Sequence, residues 1–147
     1  LKVNVTGYYN GNQSDPAEAY GSITITVLDF AISVSPTSRD IYPGQSTAYV
    51  VNITSINGFN SPVSLDLSGL PIHANYTFDP DVVTPSIDGS VQSTLQIITE
   101  STVLPGAYDL TITGSSNEIM HSTSIALVVV DNMPPVIDLL SPENKSY

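Results

Sequence analysis

Hydrophobic and polar residues alternate along most of this chain, in short runs separated by turn-forming residues. Apolar side chains occupy every second position in six runs: Phe30–Val34, Tyr49–Ile53, Val63–Leu67, Leu95–Ile97, Tyr108–Ile112 and Ile125–Val129. A period of two is typical of β-strands that bury one face. The pattern predicts about seven short strands over roughly 100 residues, and it gives almost no indication of helix.

Turn-forming pairs lie between the runs. They are Pro43–Gly44, Asn57–Gly58, Asp79–Pro80, Asp88–Gly89 and Pro105–Gly106. Short strands joined by such turns predict an all-β chain folded as a two-sheet antiparallel β-sandwich. Tyr108 opens a late strand directly after a glycine turn. It is either a tyrosine corner, whose hydroxyl bonds to upstream backbone, or an ordinary core tyrosine at a strand start.

Two segments near the C-terminus repeat the pattern of two segments near the N-terminus. Leu110–Asn117 matches Val3–Asn10, and Ser124–Asp131 matches Ser22–Asp29. We interpret this as tandem repeats of roughly 100 residues, although short strands also resemble one another by chance. The predicted division is 1–29 as the last hairpin of one repeat, 30–131 as a complete repeat, and 132–147 as a linker and first strand of another.

Several motifs in residues 30–147 occur in the order found in a known class of repeats. The motifs are Phe30–Pro36, Tyr42–Ser46, Gly58–Leu65, Gly69–Pro71, Phe78–Pro80, Pro105–Tyr108 and Asp131–Ile137. This order resembles the immunoglobulin-like tandem repeats of archaeal and bacterial cell-surface proteins, such as S-layer proteins, adhesins and filaments. The resemblance implies an immunoglobulin-like sandwich, an extracellular location and a scaffold role without a particular ligand.

The charge balance excludes several partners. The 147 residues include 14 Asp plus Glu but only three Lys plus Arg, which gives a formal net charge of −11. Three cations cannot neutralise a nucleic-acid backbone or dock the chain on anionic lipid. The chain has no run of 18 apolar residues, so we predict no membrane span.

Catalytic residue types are scarce. Cysteine is absent, and the only histidines, His73 and His121, are predicted to be exposed loop residues. We therefore predict that the protein is not an enzyme and has no cofactor. Calcium at Asp131 and Asn132, on the boundary between repeats, is the one cation considered, and a proline-stiffened linker without an ion is the favoured alternative.

Five Asn-X-Ser/Thr sequons mark candidate N-glycosylation sites, at Asn4, Asn12, Asn52, Asn75 and Asn144. The alternation predicts that Asn4, Asn52 and Asn75 lie on the polar faces of strands. Asn12 falls in a long hairpin loop and Asn144 in a turn. Attached glycans would suit a surface in which Ser, Thr and Asn replace Lys and Arg.

Two functions follow from these features. The first is a non-enzymatic structural module of an extracellular cell-surface assembly, an S-layer, sheath or filament, in which the partners are neighbouring repeats or identical copies. The second is a carbohydrate-binding, adhesin or accessory module of a secreted protein. Tyr8, Tyr9 and Tyr20 surround the predicted first hairpin, and such aromatic rings can stack on sugars.

Overall fold

The computed structural model describes residues 24–131 and Pro134, and this part of the chain contains nine β-strands and no helix. The strands are β1 (Asp29–Ser35), β2 (Ser38–Ile41), β3 (Ser46–Ile56), β4 (Val63–Ser68), β5 (Ala74–Asp79), β6 (Val82–Val83), β7 (Ser90–Thr99), β8 (Gly106–Ser116) and β9 (Ile119–Val129). Accordingly, nothing between residues 24 and 131 forms a helix long and apolar enough to cross a membrane.

The strands form two sheets. The four-stranded sheet has the order β1-β3-β7-β5, and the five-stranded sheet has the order β2-β9-β8-β4-β6. All pairs are antiparallel except β2 with β9, which run parallel. The β1-β3-β7-β5 and β4-β8-β9 orders are those of the ABED and CFG sheets of an immunoglobulin domain.

The predicted fold class, an all-β immunoglobulin-like sandwich, is therefore confirmed. Two details differ from the expectation. The strands number nine rather than seven in the described residues, because β2 and β6 are too short to show alternation. One strand pair is parallel, because the chain passes from the four-stranded sheet to the five-stranded sheet between Ser35 and Ser38.

The core lies between the sheets and consists of the alternating apolar residues identified in the sequence. Tyr49, Val51 and Ile53 of β3 are fully buried, as are Leu110 and Ile112 of β8. These side chains lose contact with water on folding, which supplies the main driving force for the sandwich.

Tyr49 also joins the two sheets through a polar contact. Its hydroxyl donates to the backbone oxygen of Ala126 at 2.9 Å, from β3 to β9. Burial raises the pKa of Tyr49 to about 12. The phenol therefore stays protonated, and remains a donor, throughout the physiological pH range.

The predicted flanking repeats fall mostly outside this part of the chain. Residues 1–23, 132–133 and 135–147 are not among the described residues. The division into 1–29, 30–131 and 132–147 therefore stays a prediction.

Candidate functional site

The chain enters and leaves the sandwich at opposite ends. Asp29, the first residue of β1, lies beside His121 near the start of β9, with Nε2 and Oδ1 2.7 Å apart. From His121 the chain continues through β9 to Asp131, which at the usual rise per residue is a distance of about 30 Å. We call the end at Asp29 the N-terminal end and the end at Asp131 the C-terminal end.

Three loops at the C-terminal end are held together by hydrogen bonds. The Gly44 amide donates to the Glu100 oxygen at 3.1 Å, and the Glu100 amide donates to the His73 oxygen at 2.8 Å. The Thr99 hydroxyl donates to the Gln45 oxygen at 2.8 Å. These bonds fix the loops that follow β2, β4 and β7 relative to one another, so the end of the sandwich presents a defined surface.

Two local features shape this surface. Gly69 has φ +88°, and a Cβ there would lie 2.5 Å from the Asp109 oxygen, so only glycine fits. The Tyr108 hydroxyl donates to the Leu104 oxygen at 2.8 Å. Because the phenol bonds to backbone four residues upstream at the start of β8, the tyrosine-corner alternative is confirmed.

An apolar cleft of about 570 Å³ opens at the C-terminal end. We call it the C-terminal cleft; it is lined by Gly69, Leu70, Pro71, Ile72, His73, Thr102, Leu104 and Tyr108. Ile72 and Leu104 are 83% and 72% exposed. These two exposed aliphatic side chains make the surface of the cleft mainly apolar.

The polar side chains at the cleft bond to one another. His73 Nδ1 lies 3.1 Å from Glu100 Oε2, and Thr102 donates to the same oxygen at 3.4 Å. His73 lies in a loop and its side chain is half exposed, as the sequence predicted. A pair this exposed contributes little to stability, so the cleft offers mainly apolar contact.

The prediction that His121 is an exposed loop residue is wrong. His121 lies within β9, is about 60% buried, and stands edge-on to Phe30 with ring centroids 5.0 Å apart. Its hydrogen bond lowers the pKa of Asp29, which further accepts from the Phe30 amide. The misassignment arose because the β8–β9 turn occupies only Asn117 and Glu118, so β9 has already begun before His121.

Metal ligands are not grouped in the described part of the chain, where no three His, Asp or Glu side chains lie close enough to hold an ion. Asp131 is exposed at the C-terminal end. Its proposed companion Asn132 lies outside the described residues. The prediction of a proline-stiffened linker without an ion, favoured over calcium at this pair, is therefore not tested by the described residues.

Two of the five sequons lie in the described residues, and both are in the four-stranded sheet. Asn52 of β3 is flanked by the buried Val51 and Ile53, so its side chain points to the outer face. Asn75 of β5 is exposed, as is Thr77. Both predicted orientations are confirmed, whereas Asn4, Asn12 and Asn144 lie outside the described residues, together with Tyr8, Tyr9 and Tyr20.

Comparison with known proteins supports the fold. No family model matches the sequence, and no curated protein matches it significantly. A family 123 glycoside hydrolase from Clostridium perfringens superposes with a TM-score of 0.57 at 9% identity, over 69% of this chain and 27% of the hydrolase. A FixG-related protein from Vibrio parahaemolyticus gives 0.55 at 7% identity, over 71% of this chain and 98% of that protein.

Domains 1–6 of the surface layer protein SbsC give a TM-score of 0.50 at 19% identity. The match covers 76% of this chain and 14% of that structure. The chain thus spans about a quarter of the hydrolase and a seventh of the surface layer protein. At these identities the likeness concerns the fold alone, which makes up one part of the hydrolase and of the surface layer protein and nearly all of the FixG-related chain.

Proposed function

We propose that the chain is a structural, non-enzymatic module of an extracellular cell-surface assembly, joined in series with neighbouring modules. The observation that carries this proposal is the position of the two points at which the chain enters and leaves the sandwich. Asp29 lies beside the start of β9, and Asp131 lies just beyond its end. Successive modules would therefore extend an array by about 30 Å each instead of folding back. This is the geometry of a spacer.

The C-terminal cleft supports the same arrangement. Gly106 pairs with Val129 in the β8–β9 ladder, so the chain leaves the sandwich directly beside the loop that carries Leu104. Whatever module follows Asp131 therefore begins within reach of Ile72 and Leu104. Covering these two side chains would remove exposed apolar area from water and would stiffen the junction.

The composition and the fold comparison support an outer-surface location. The chain has no cysteine, few cations and many Ser and Thr residues, which suits a solubilising exterior. The domains of the surface layer protein SbsC share its fold. The alternative, a carbohydrate-binding or adhesin module, depends on Tyr8, Tyr9 and Tyr20, and the mainly apolar C-terminal cleft offers few groups for sugar hydroxyls.

Cysteine labelling of intact cells tests the proposal, since the chain has no cysteine of its own. Two single variants are compared in the protein as its organism produces it: Ser64→Cys, on the exposed side of β4, and Leu104→Cys, in the cleft. A membrane-impermeant maleimide should modify Ser64→Cys on intact cells. Leu104→Cys should react at least tenfold more slowly, because the following module covers it.

Two results would contradict the proposal, each in a different part. If Ser64→Cys reacts in lysed but not in intact cells, the extracellular location is wrong. If Leu104→Cys reacts as fast as Ser64→Cys, nothing covers the cleft, and the arrangement in series is wrong. Leu104→Cys in the 1–147 chain on its own, without the proposed neighbouring modules, supplies the reactivity of an open cleft.

A further inference from the structure

Four strands lie at sheet edges in the described part of the sandwich: β1 and β5 in one sheet, β2 and β6 in the other. An edge strand presents unpaired backbone N–H and C=O groups, to which a strand of another chain can add. Proteins prevent this by keeping edge strands short, by placing charges on them, or by covering them.

Three of these edges have such protection. β2 has four residues and includes the charged Arg39 and Asp40, and β6 has only two residues. β1 packs against β9, with Asp29 bonded to His121. β5, like β1, pairs with one strand only and has a single charge at its end, Asp79, but its contact with the other sheet is sparser, with Tyr76 bonded to Asp66 of β4.

Of the four edge strands in the described residues, β5, the least covered, contains a sequon. Asn75 and Thr77, the two sequon residues that an N-glycosylation enzyme requires, are both exposed on the outer face of β5. Tyr76, between them, points to the opposite face, where its hydroxyl donates to Asp66 of β4 at 2.7 Å. That hydrogen bond raises the pKa of Tyr76. It anchors β5 while leaving Asn75 turned outward.

We propose that Asn75 carries an N-linked oligosaccharide and that this glycan protects the β5 edge against strand addition by a second copy. An N-glycan is bulky and soluble, and on a six-residue edge strand it blocks the approach of another chain along most of the strand. The inference rests on the proposed function in one respect, since the modification takes place outside the cytoplasm.

Asn52, in the second sequon of the four-stranded sheet, is less accessible to modification than Asn75. Asn52 lies in the central strand β3, between Ser33 of β1 and Gln92 of β7. Its amide nitrogen, the atom that would be modified, donates to the Thr54 hydroxyl at 3.0 Å. Releasing Asn52 would break two strand ladders, whereas releasing Asn75 breaks one, so local opening favours Asn75. Asn52 therefore stays unmodified once the sandwich has folded.

The modification is a glycosyl transfer. Asn75 Nδ2 attacks the anomeric carbon of an oligosaccharide carried on a lipid-linked phosphate donor. A C–N bond forms, and the C–O bond to the phosphate breaks. The lipid phosphate leaves with the electron pair, and Nδ2 loses one proton to a base of the transferase.

Peptide mapping of the native protein separates the two sequons. Cleavage before aspartate yields peptide 40–65, which contains Asn52, and peptide 66–78, which contains Asn75. We expect peptide 66–78 to carry the mass of a glycan and peptide 40–65 to have its unmodified mass. If peptide 66–78 is unmodified while Ser64→Cys is labelled on intact cells, the glycan is wrong and the extracellular location stands.

Two variants of one residue test the protective role. Thr77→Ala destroys the sequon, whereas Thr77→Ser preserves it, and both changes are on an exposed side chain that leaves the core intact. Thr77→Ala should lose the glycan, as seen by peptide mapping. In sedimentation velocity at matched concentrations it should form larger species that depend on concentration, whereas Thr77→Ser should remain like the wild type. A Thr77→Ala chain that keeps its glycan, or that loses it and sediments like the wild type, would overturn the proposal.

Discussion

At the scale of single residues, His121 shows how a contact between distant strands decides the role of a side chain. Its sequence neighbours suggested a loop, but its partners are Asp29, 92 residues away, and Phe30. Phe30 in turn packs against Phe59, with ring centroids 5.4 Å apart. The histidine thus closes the N-terminal end of the core between β1 and β9.

This contact makes stability depend on pH through Asp29. The hydrogen bond from His121 holds the pKa of Asp29 below its ordinary value of 3.8. A carboxyl with a lowered pKa stabilises the fold above its unfolded pKa, and this contribution disappears as the pH falls through the folded pKa. We expect Asp29→Asn to lower the free energy of unfolding near pH 5 by at most about 1 kcal/mol, since both side chains are more than a third exposed.

Urea denaturation from pH 5 to pH 2 measures this effect. The difference in free energy of unfolding between the wild type and Asp29→Asn should shrink as the pH falls below about 3.8, the ordinary pKa of an aspartate. The control compares His121→Gln with the double variant that also carries Asp29→Asn. The difference between their free energies of unfolding should vary much less with pH. A difference that is constant across the range, or that grows at low pH, would show that His121 does not lower the pKa of Asp29.

At the scale of secondary-structure elements, the sequence was most informative where a strand is long and buries one face. All six alternating runs lie in strands, because each had enough positions to display the period of two. β2 and β6 escaped prediction, since four and two residues show no period. The parallel β2–β9 pair could not be predicted either, because the residues of a strand do not specify which sheet it joins.

Packing between elements depends on one small residue in β8. Gly114 is buried, and a Cβ there would lie 3.1 Å from Val63 Cγ1 and 3.2 Å from Phe30 Cε2. Both neighbours are themselves fully buried, so the close-packed core around them resists the few tenths of an ångström by which they would have to shift. Gly114→Ala should therefore destabilise the fold by about 1–3 kcal/mol, which exceeds the gain of about 0.4–1 kcal/mol from a less flexible unfolded chain.

Chemical denaturation with a matched substitution checks this expectation. Ala31→Val adds bulk next to Phe30 in β1, but on the exposed outer face. It should change the free energy of unfolding by no more than about 0.5 kcal/mol. If Gly114→Ala is as stable as the wild type, the contact of β8 with Phe30 and Val63 is looser than described.

At the scale of the whole molecule, the two candidate surfaces differ in how far the sequence could reveal them. Asn52 and Asn75 were identified and correctly oriented, because a sequon is local and strand alternation sets its face. The C-terminal cleft could not be identified, because Ile72 and Leu104 come from loops 32 residues apart. Only folding brings those loops together, through backbone bonds such as Glu100 to His73.

The parallel β2–β9 pair determines how an array of such modules would respond to tension. A pull applied at Asp29 and Asp131 slides β9 along β2 and loads bonds such as Val130 N–H to Ile41 oxygen and Ala126 N–H to Thr37 oxygen simultaneously. A pull between Thr102→Cys and Asp131→Cys, both at the C-terminal end, would instead peel β8 from β9 one bond at a time. Single-molecule force spectroscopy should show a several-fold higher rupture force for the first geometry.

Equal rupture forces in the two geometries would mean that the β2–β9 pair is not the element that resists extension. With the expected difference, each module is strong along the line from Asp29 to Asp131, the direction in which the proposed array would be stretched, and weaker across that line. The crossing of the chain from one sheet to the other after Ser35 thus gives the sandwich a mechanical axis.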